Sequence, residues 1–162
     1  MQSKISPDTV SADIVRSLAC IGLLAAVTPL SVSHKSYFQL IPKSIKVKKI
    51  SQSLQLTYSD GTFELPYEFL RVHSPSAEVR GHGVGNDVLQ AGKKDVVLLR
   101  IEPAGNYALK LVFDDGHDSG LYDWEYLRHL CVNRDTLWQT YLERLQAAGR
   151  SRESAQISFK AL

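Results

Sequence analysis

Two stretches of this chain share one grammar. Leu56-Thr57-Tyr58-Ser59-Asp60-Gly61-Thr62-Phe63-Glu64-Leu65-Pro66 reads as strand, Asp-Gly turn and returning strand, and it leads into Tyr67-Glu68-Phe69-Leu70-Arg71. Leu111-Val112-Phe113-Asp114-Asp115-Gly116-His117-Asp118-Ser119-Gly120-Leu121-Tyr122 repeats the pattern and leads into Trp124-Glu125-Tyr126-Leu127-Arg128. Asp-Gly between apolar runs signals a hairpin, because glycine accepts the positive φ that tight turns need. Pro66 opens a short helix well, since the first helical turn does not use the N–H that proline lacks. Tyr67, Leu70 and Phe69 are then placed to pack against the sheet. The predicted fold is α+β: a small twisted antiparallel β-sheet of about five or six strands, a short helix after each Asp-Gly unit, and a C-terminal helix.

The remaining segments extend this frame. Ser44 to Ile50 alternates apolar and basic residues, the period of a half-buried strand. Its lysines suit the outward face of an edge strand, where charge discourages mispairing. No aromatic platform is interleaved with them, so they do not point to nucleic acid. Residues 73–86, rich in Gly, His and Ser, read as loop, and Asp87 to Gly92 as a helical turn or continued loop. Asp95 to Pro103 is nearly continuous in apolar residues and predicts a central strand. Tyr107 to Phe113 predicts the next one. A terminal helix starts near Asn133 or Asp135, carries Leu137, Trp138, Tyr141, Leu142 and Leu145 as one stripe, and stops at Gly149. Core packing is the first use for that stripe, and docking of a partner helix is the second.

The chain has 162 residues, enough for one domain with extensions. The expected divisions are an apolar N-terminal extension over 1–36, a domain over 41–131, the terminal helix over 133–149 and a disordered tail over 150–162. The apolar run Leu18 to Val27 is too short for a transmembrane helix, which takes about 20 residues. It reads as a targeting segment, as an extension from an upstream start codon, or as a docking helix. A formal charge of +2 gives no case for nucleic acid. Cys20 and Cys131 form neither a metal spacing nor a disulfide framework, which suits a reducing, cytoplasmic setting. The expected partner is an unidentified protein, and the oligomeric state is open.

The repeated grammar, together with Ser74-Pro75-Ser76-Ala77-Glu78-Val79-Arg80-Gly81-His82 and Gly105-Asn106-Tyr107-Ala108, resembles the gamma-butyrobetaine hydroxylase-like N-terminal domain, in the form of a small bacterial protein of unknown function. The resemblance covers about residues 41 to 131. In the hydroxylases such a domain precedes a separate catalytic domain holding iron and 2-oxoglutarate. Nothing in this chain resembles that part, so the expectation is a non-catalytic binding or accessory domain. The resemblance also implies a zinc module with three cysteines after Leu-Arg and one later histidine. The histidine falls on His117, whereas the cysteines fall on Ser74, Ser76 and Val79. A structural zinc site takes thiolate or imidazole ligands, so the hydroxylase-type site is expected to be lost. A similar domain is appended to plastid Mrp-type iron–sulfur carrier proteins, which adds iron or iron–sulfur handling as an accessory role by analogy of fold.

Three functional readings follow. In the first, His73, His82 and His117, with Glu78, Asp115 or Asp118, form a mixed site for iron or zinc. The alternative for the same residues is a bonded, structural His117 and solvated loop histidines. In the second, the His82 loop and the turn bearing Asp115, His117 and Asp118 face a protein partner. The third, a stand-alone enzyme, would need a deep pocket joining the three histidines. Gly81-His82-Gly83-Val84-Gly85 lacks the spacing of a dinucleotide fingerprint. Ser119 lies too close in sequence to His117 for an ordinary nucleophile–base pair, and acids in an Asp-Gly turn are more often turn formers.

Overall fold

The structure, a computed structural model, describes residues 9–10, 40–81 and 87–154. The 18–27 run, His82 and residues 155–162 lie outside the described residues. The α+β class holds, but the expected single sheet is divided in two. One antiparallel sheet has the order β1 (Thr9–Val10), β2 (Ser44–Lys48), β3 (Ser53–Thr57), β4 (Thr62–Pro66). The other has the order β5 (Leu98–Ala104), β6 (Ala108–Phe113), β7 (Leu121–Asp123). Helices α1 (Tyr67–Val72) and α3 (Trp124–Val132) each continue directly from the last strand of a sheet. A further helix, α2 (Ala77–Arg80), lies within the segment read as loop, and α4 (Arg134–Ala147) is the terminal helix.

The two turns differ in physics. In the first, Tyr58 N–H donates to Gly61 O at 2.8 Å, and the strands close at Thr57 opposite Thr62. Gly61 does not use the left-handed region there. Gly116 does, at φ 82°, and the turn closes with Phe113 N–H donating to His117 O at 3.0 Å. Positive φ is therefore required only in the second unit.

Segment 95–103 also departs from expectation. The strand begins at Leu98 and forms an edge of its sheet, with β6 in the centre. The register slips between Leu98 and Arg100, and the extra residue, Leu99, is left 60% exposed. This is a β-bulge, which puts an apolar side chain where a continuous central strand would have buried it. Strand β2, in turn, pairs on both sides, with Thr9 opposite Lys46, so it is not the edge its lysines suggested.

Both sheets pack into one core. Leu54, Leu56 and Leu65 from the first sheet meet Leu109, Leu111 and Phe113 from the second. Leu70 and Leu127, at matching places in α1 and α3, are both fully buried, worth roughly 1.5–3 kcal/mol each. The stripe on α4 is used internally: Trp138 lies 6.2 Å from Phe69, and Tyr141 and Leu145 pack with Val72. The start of the predicted tail is held as well. Ser151 O and Arg152 O accept from Gly92 N–H and Lys94 N–H, and Arg152 forks onto buried Glu68 at 2.9 and 2.5 Å.

The two units lock each other reciprocally. Arg71, at the end of the first unit, pairs with Asp115 in the second turn at 2.9 Å. Arg128, at the end of the second, pairs with Asp60 in the first turn and lies over the Tyr58 and Phe63 rings at 4.7 and 4.8 Å. The pairs differ in burial: side-chain exposure is 8% for Arg71 and 21% for Asp115, but 56% for Asp60. Removing one member of a desolvated pair strands the other charge, whereas an exposed pair contributes little. Arg71→Ala is expected to cost roughly 3 kcal/mol and Asp60→Ala about 1 kcal/mol or less in urea unfolding. Equal losses would show that burial does not separate the two pairs.

Candidate functional site

The second turn aims His117 inward. Asp114 accepts from Val97 N–H at 2.9 Å through its side chain, which ties the turn to the start of β5. One oxygen of Asp115 takes both Arg71 and Lys93, the latter at 2.6 Å. The other oxygen accepts from His117 N–H at 3.2 Å. The aspartates are thus turn formers, as the sequence suggested. Burial pushes the Asp115 carboxyl up, but Lys93 and Arg71 outweigh it and hold it below the usual range.

His117 is 5% exposed and has both ring nitrogens engaged. Nε2 lies 2.7 Å from Ser74 Oγ, and Nδ1 lies 3.2 Å from Glu78 Oε2. Ser76 N–H donates to Ser74 Oγ at 3.4 Å. That leaves the Ser74 hydroxyl to donate to Nε2 and the Nδ1–H to donate to Glu78, which assigns the tautomer from the network. Burial, then the neighbouring Arg71, lowers the His117 pKa against the opposing pull of Glu78.

Gly120 makes the approach possible. A Cβ there would overlap the Ser74 hydroxyl and come within 3.1 Å of the Tyr122 ring. Tyr122 is itself fixed, donating its hydroxyl to Leu70 O at 2.7 Å. No local pattern marks Gly120, because close packing across the fold leaves none in the sequence. Glu78 is one of the acids that the sequence offers beside His117; its hydrogen bond to the ring, and the roles of Arg71 and Lys93, emerge only from the fold.

Ser74, Ser76, Val79 and His117 are all buried. Their donor set is two hydroxyls, an aliphatic chain and one imidazole already bonded to a hydroxyl. This does not fit a structural zinc ion. Ser76 Oγ has no partner among the described residues. The other expected ligands lie elsewhere. His73 donates from Nδ1 to Phe69 O at 2.9 Å and lies tilted against the Phe69 ring at 4.5 Å, facing Tyr141 of α4. Asp118 pairs with Lys110 at 2.8 Å on the outer sheet face. Among the described residues no three His, Cys, Asp or Glu side chains are placed to share a metal. His82, the third expected histidine, is outside them.

Ser74, His117 and Glu78 have the connectivity of a hydroxyl–imidazole–carboxylate relay, but in reversed exposure. Ser74 is 1% exposed and packed on Gly120, while the Glu78 side chain is 71% exposed. A nucleophile must meet its substrate, and this hydroxyl is enclosed. The expected presentation of His117 to a partner is corrected for the same reason. No described helix is long and apolar enough to cross a membrane.

The chain matches the model of the family described as "Gamma-butyrobetaine hydroxylase-like, N-terminal" over residues 45–128, and it belongs to that family. Two solution structures determined by NMR are similar. One is 54% identical with a TM-score of 0.64, covering 75% of this chain and 97% of the other. The second is 45% identical with a TM-score of 0.61, covering 85% and 99%. A crystal structure from Acidithiobacillus ferrooxidans ATCC 23270, of a DUF971 family protein with unknown function, is 35% identical with a TM-score of 0.48, covering 57% and 94%. No curated protein matches.

Two outcomes follow from this geometry. Gly120→Ala is expected to cost about 1–3 kcal/mol in chemical denaturation, because backbone or Ser74 must move to admit a methyl group; an unchanged midpoint would contradict the close packing. Burial also lowers the His73 pKa. For a base whose folded pKa is depressed, stability is complete above the unfolded value, about 6.5, and is lost as pH falls through the folded value. The melting temperature is expected to be level from pH 8 to about 6.5 and to fall below it. His73→Phe, which preserves the ring contact, should flatten part of that fall, and an identical fall in the variant would show that His73 does not cause it.

Proposed function

We propose that this chain is a non-catalytic accessory domain that acts by binding a protein partner, and that His117 holds its second turn in place instead of ligating a metal. The observation that carries this reading is the engagement of both His117 ring nitrogens, by Ser74 and Glu78. A metal at His117 would have to displace one of them, and the neighbouring Ser74, Ser76 and Val79 offer no thiolate in return. The match to an N-terminal domain and the enclosure of Ser74 support a binding role over a catalytic one. The partner-facing groups on this side are Glu78 and Asp118, which are exposed, and a role in iron or iron–sulfur handling would then reside in the partner.

Untagged protein is expected to carry less than about 0.1 iron or zinc per chain and to show no rise in melting temperature with added zinc. Wild-type protein coupled to a support should retain a partner from native extract, and the double variant Glu78→Gln, Asp118→Asn, which removes both charges but keeps an acceptor for His117, should lose it while melting normally. Stoichiometric metal, or retention unchanged by the double variant, would contradict the proposal.

A further inference from the structure

A cavity of about 720 Å³ lies between α1, α2 and α4, and it borders the His117 network at Ser74. Its volume is that of a small-molecule site. Val79, Leu89 and Leu137 give it apolar walls, and Arg80 and Arg144 stand among its lining residues. Most of the other polar side chains there already have partners. The Tyr126 hydroxyl donates to His73 O at 2.8 Å and the Tyr141 hydroxyl to Gln90 O at 3.0 Å. Thr140 Oγ1 donates to Thr136 O at 3.0 Å, and Gln90 Nε2 to Val88 O at 3.1 Å.

The two guanidiniums are different. Arg80 lies over the Tyr126 ring at 5.2 Å, and among the described residues Arg144 donates to the Asp87 backbone carbonyl alone, at 3.0 Å. Neither has a carboxylate within ion-pair distance among the described residues. Asp87 is the one acid among the described lining residues, and burial lowers the His73 pKa. The lining therefore holds an excess of positive charge, its spare donors are guanidinium N–H groups, and its walls are apolar. Guanidinium forks match carboxylates in geometry as well as charge.

We propose that this cavity binds an organic carboxylate with an apolar body, the carboxylate on Arg80 and Arg144 and the body against Val79, Leu89 and Leu137. The site is independent of any partner at Glu78 and Asp118, so either reading can fail alone.

The test titrates the full chain, labelled with nitrogen-15, with 4-phenylbutyrate, 4-phenylbutanol and acetate. The expected result is saturable amide shifts around Val79, Leu89 and Thr140 with 4-phenylbutyrate at a Kd of about 1 mM or tighter. The alcohol and acetate should each bind at least about tenfold more weakly, since one lacks the charge and the other the body. The double variant R80Q/R144Q should lose 4-phenylbutyrate by about tenfold or more. Thr140→Trp, which fills the cavity and leaves both arginines, should lose it too. Absence of shifts with 4-phenylbutyrate, equal binding of the alcohol, or undiminished binding in the filled variant would overturn the proposal.

Discussion

Arg71 is a cation placed in the core, and the second half of the domain is arranged to answer it. Its helix follows β4 without a loop, so the sequence that buries Tyr67, Phe69 and Leu70 also carries Arg71 inward. An uncompensated guanidinium there would be strongly destabilising. Asp115 supplies the compensation from the turn of the other unit, with Lys93 on the same oxygen. The interaction thereby fixes one sheet's helix against the other sheet's turn. Arg128 and Asp60 form the mirror connection nearer the surface.

The consequence for the site is direct. Asp115 holds the His117 amide with its second oxygen, so the residue that answers Arg71 also sets where the imidazole points. The connection from turn to helix is longer in the second unit, Gly116 to Trp124 against Gly61 to Tyr67, and His117 occupies the added length. Ser74 and Gly120 then close around the ring. A hydrogen-bond chain from Ser76 N–H through Ser74 and His117 to Glu78 links α2 to the turn.

Much of this was legible in the sequence because it is written locally. The strand–turn–helix units, the terminal helix and the turn-forming role of Asp114 and Asp115 rest on alternation, turn chemistry and helical spacing. What was not legible depends on contacts distant in sequence. Nothing near Leu99 marks the bulge that makes β5 an edge, and the apolar run Val96 to Leu99 looked central for want of that signal. The division into two sheets follows from which strands pair, which periodicity does not record. Ser151 to Glu153 read as a frayed tail because their partners, Glu68, Gly92 and Lys94, lie far back in the chain. Likewise His73 and His117 share a composition-based expectation as ligands, but the fold sends one to the α1–α4 contact and the other to Ser74.

The central claim is that His117 is a neutral, internally bonded residue that joins the second turn to α2. Long-range proton–nitrogen correlation NMR on the imidazole from pH 8 to 5 tests it most directly. The account predicts the Nδ1–H tautomer at pH 7, unchanged by added zinc, with a titration midpoint below the ordinary value of about 6.5. An imidazolium at pH 7, an Nε2–H tautomer, or a ring nitrogen shifted by zinc would contradict it.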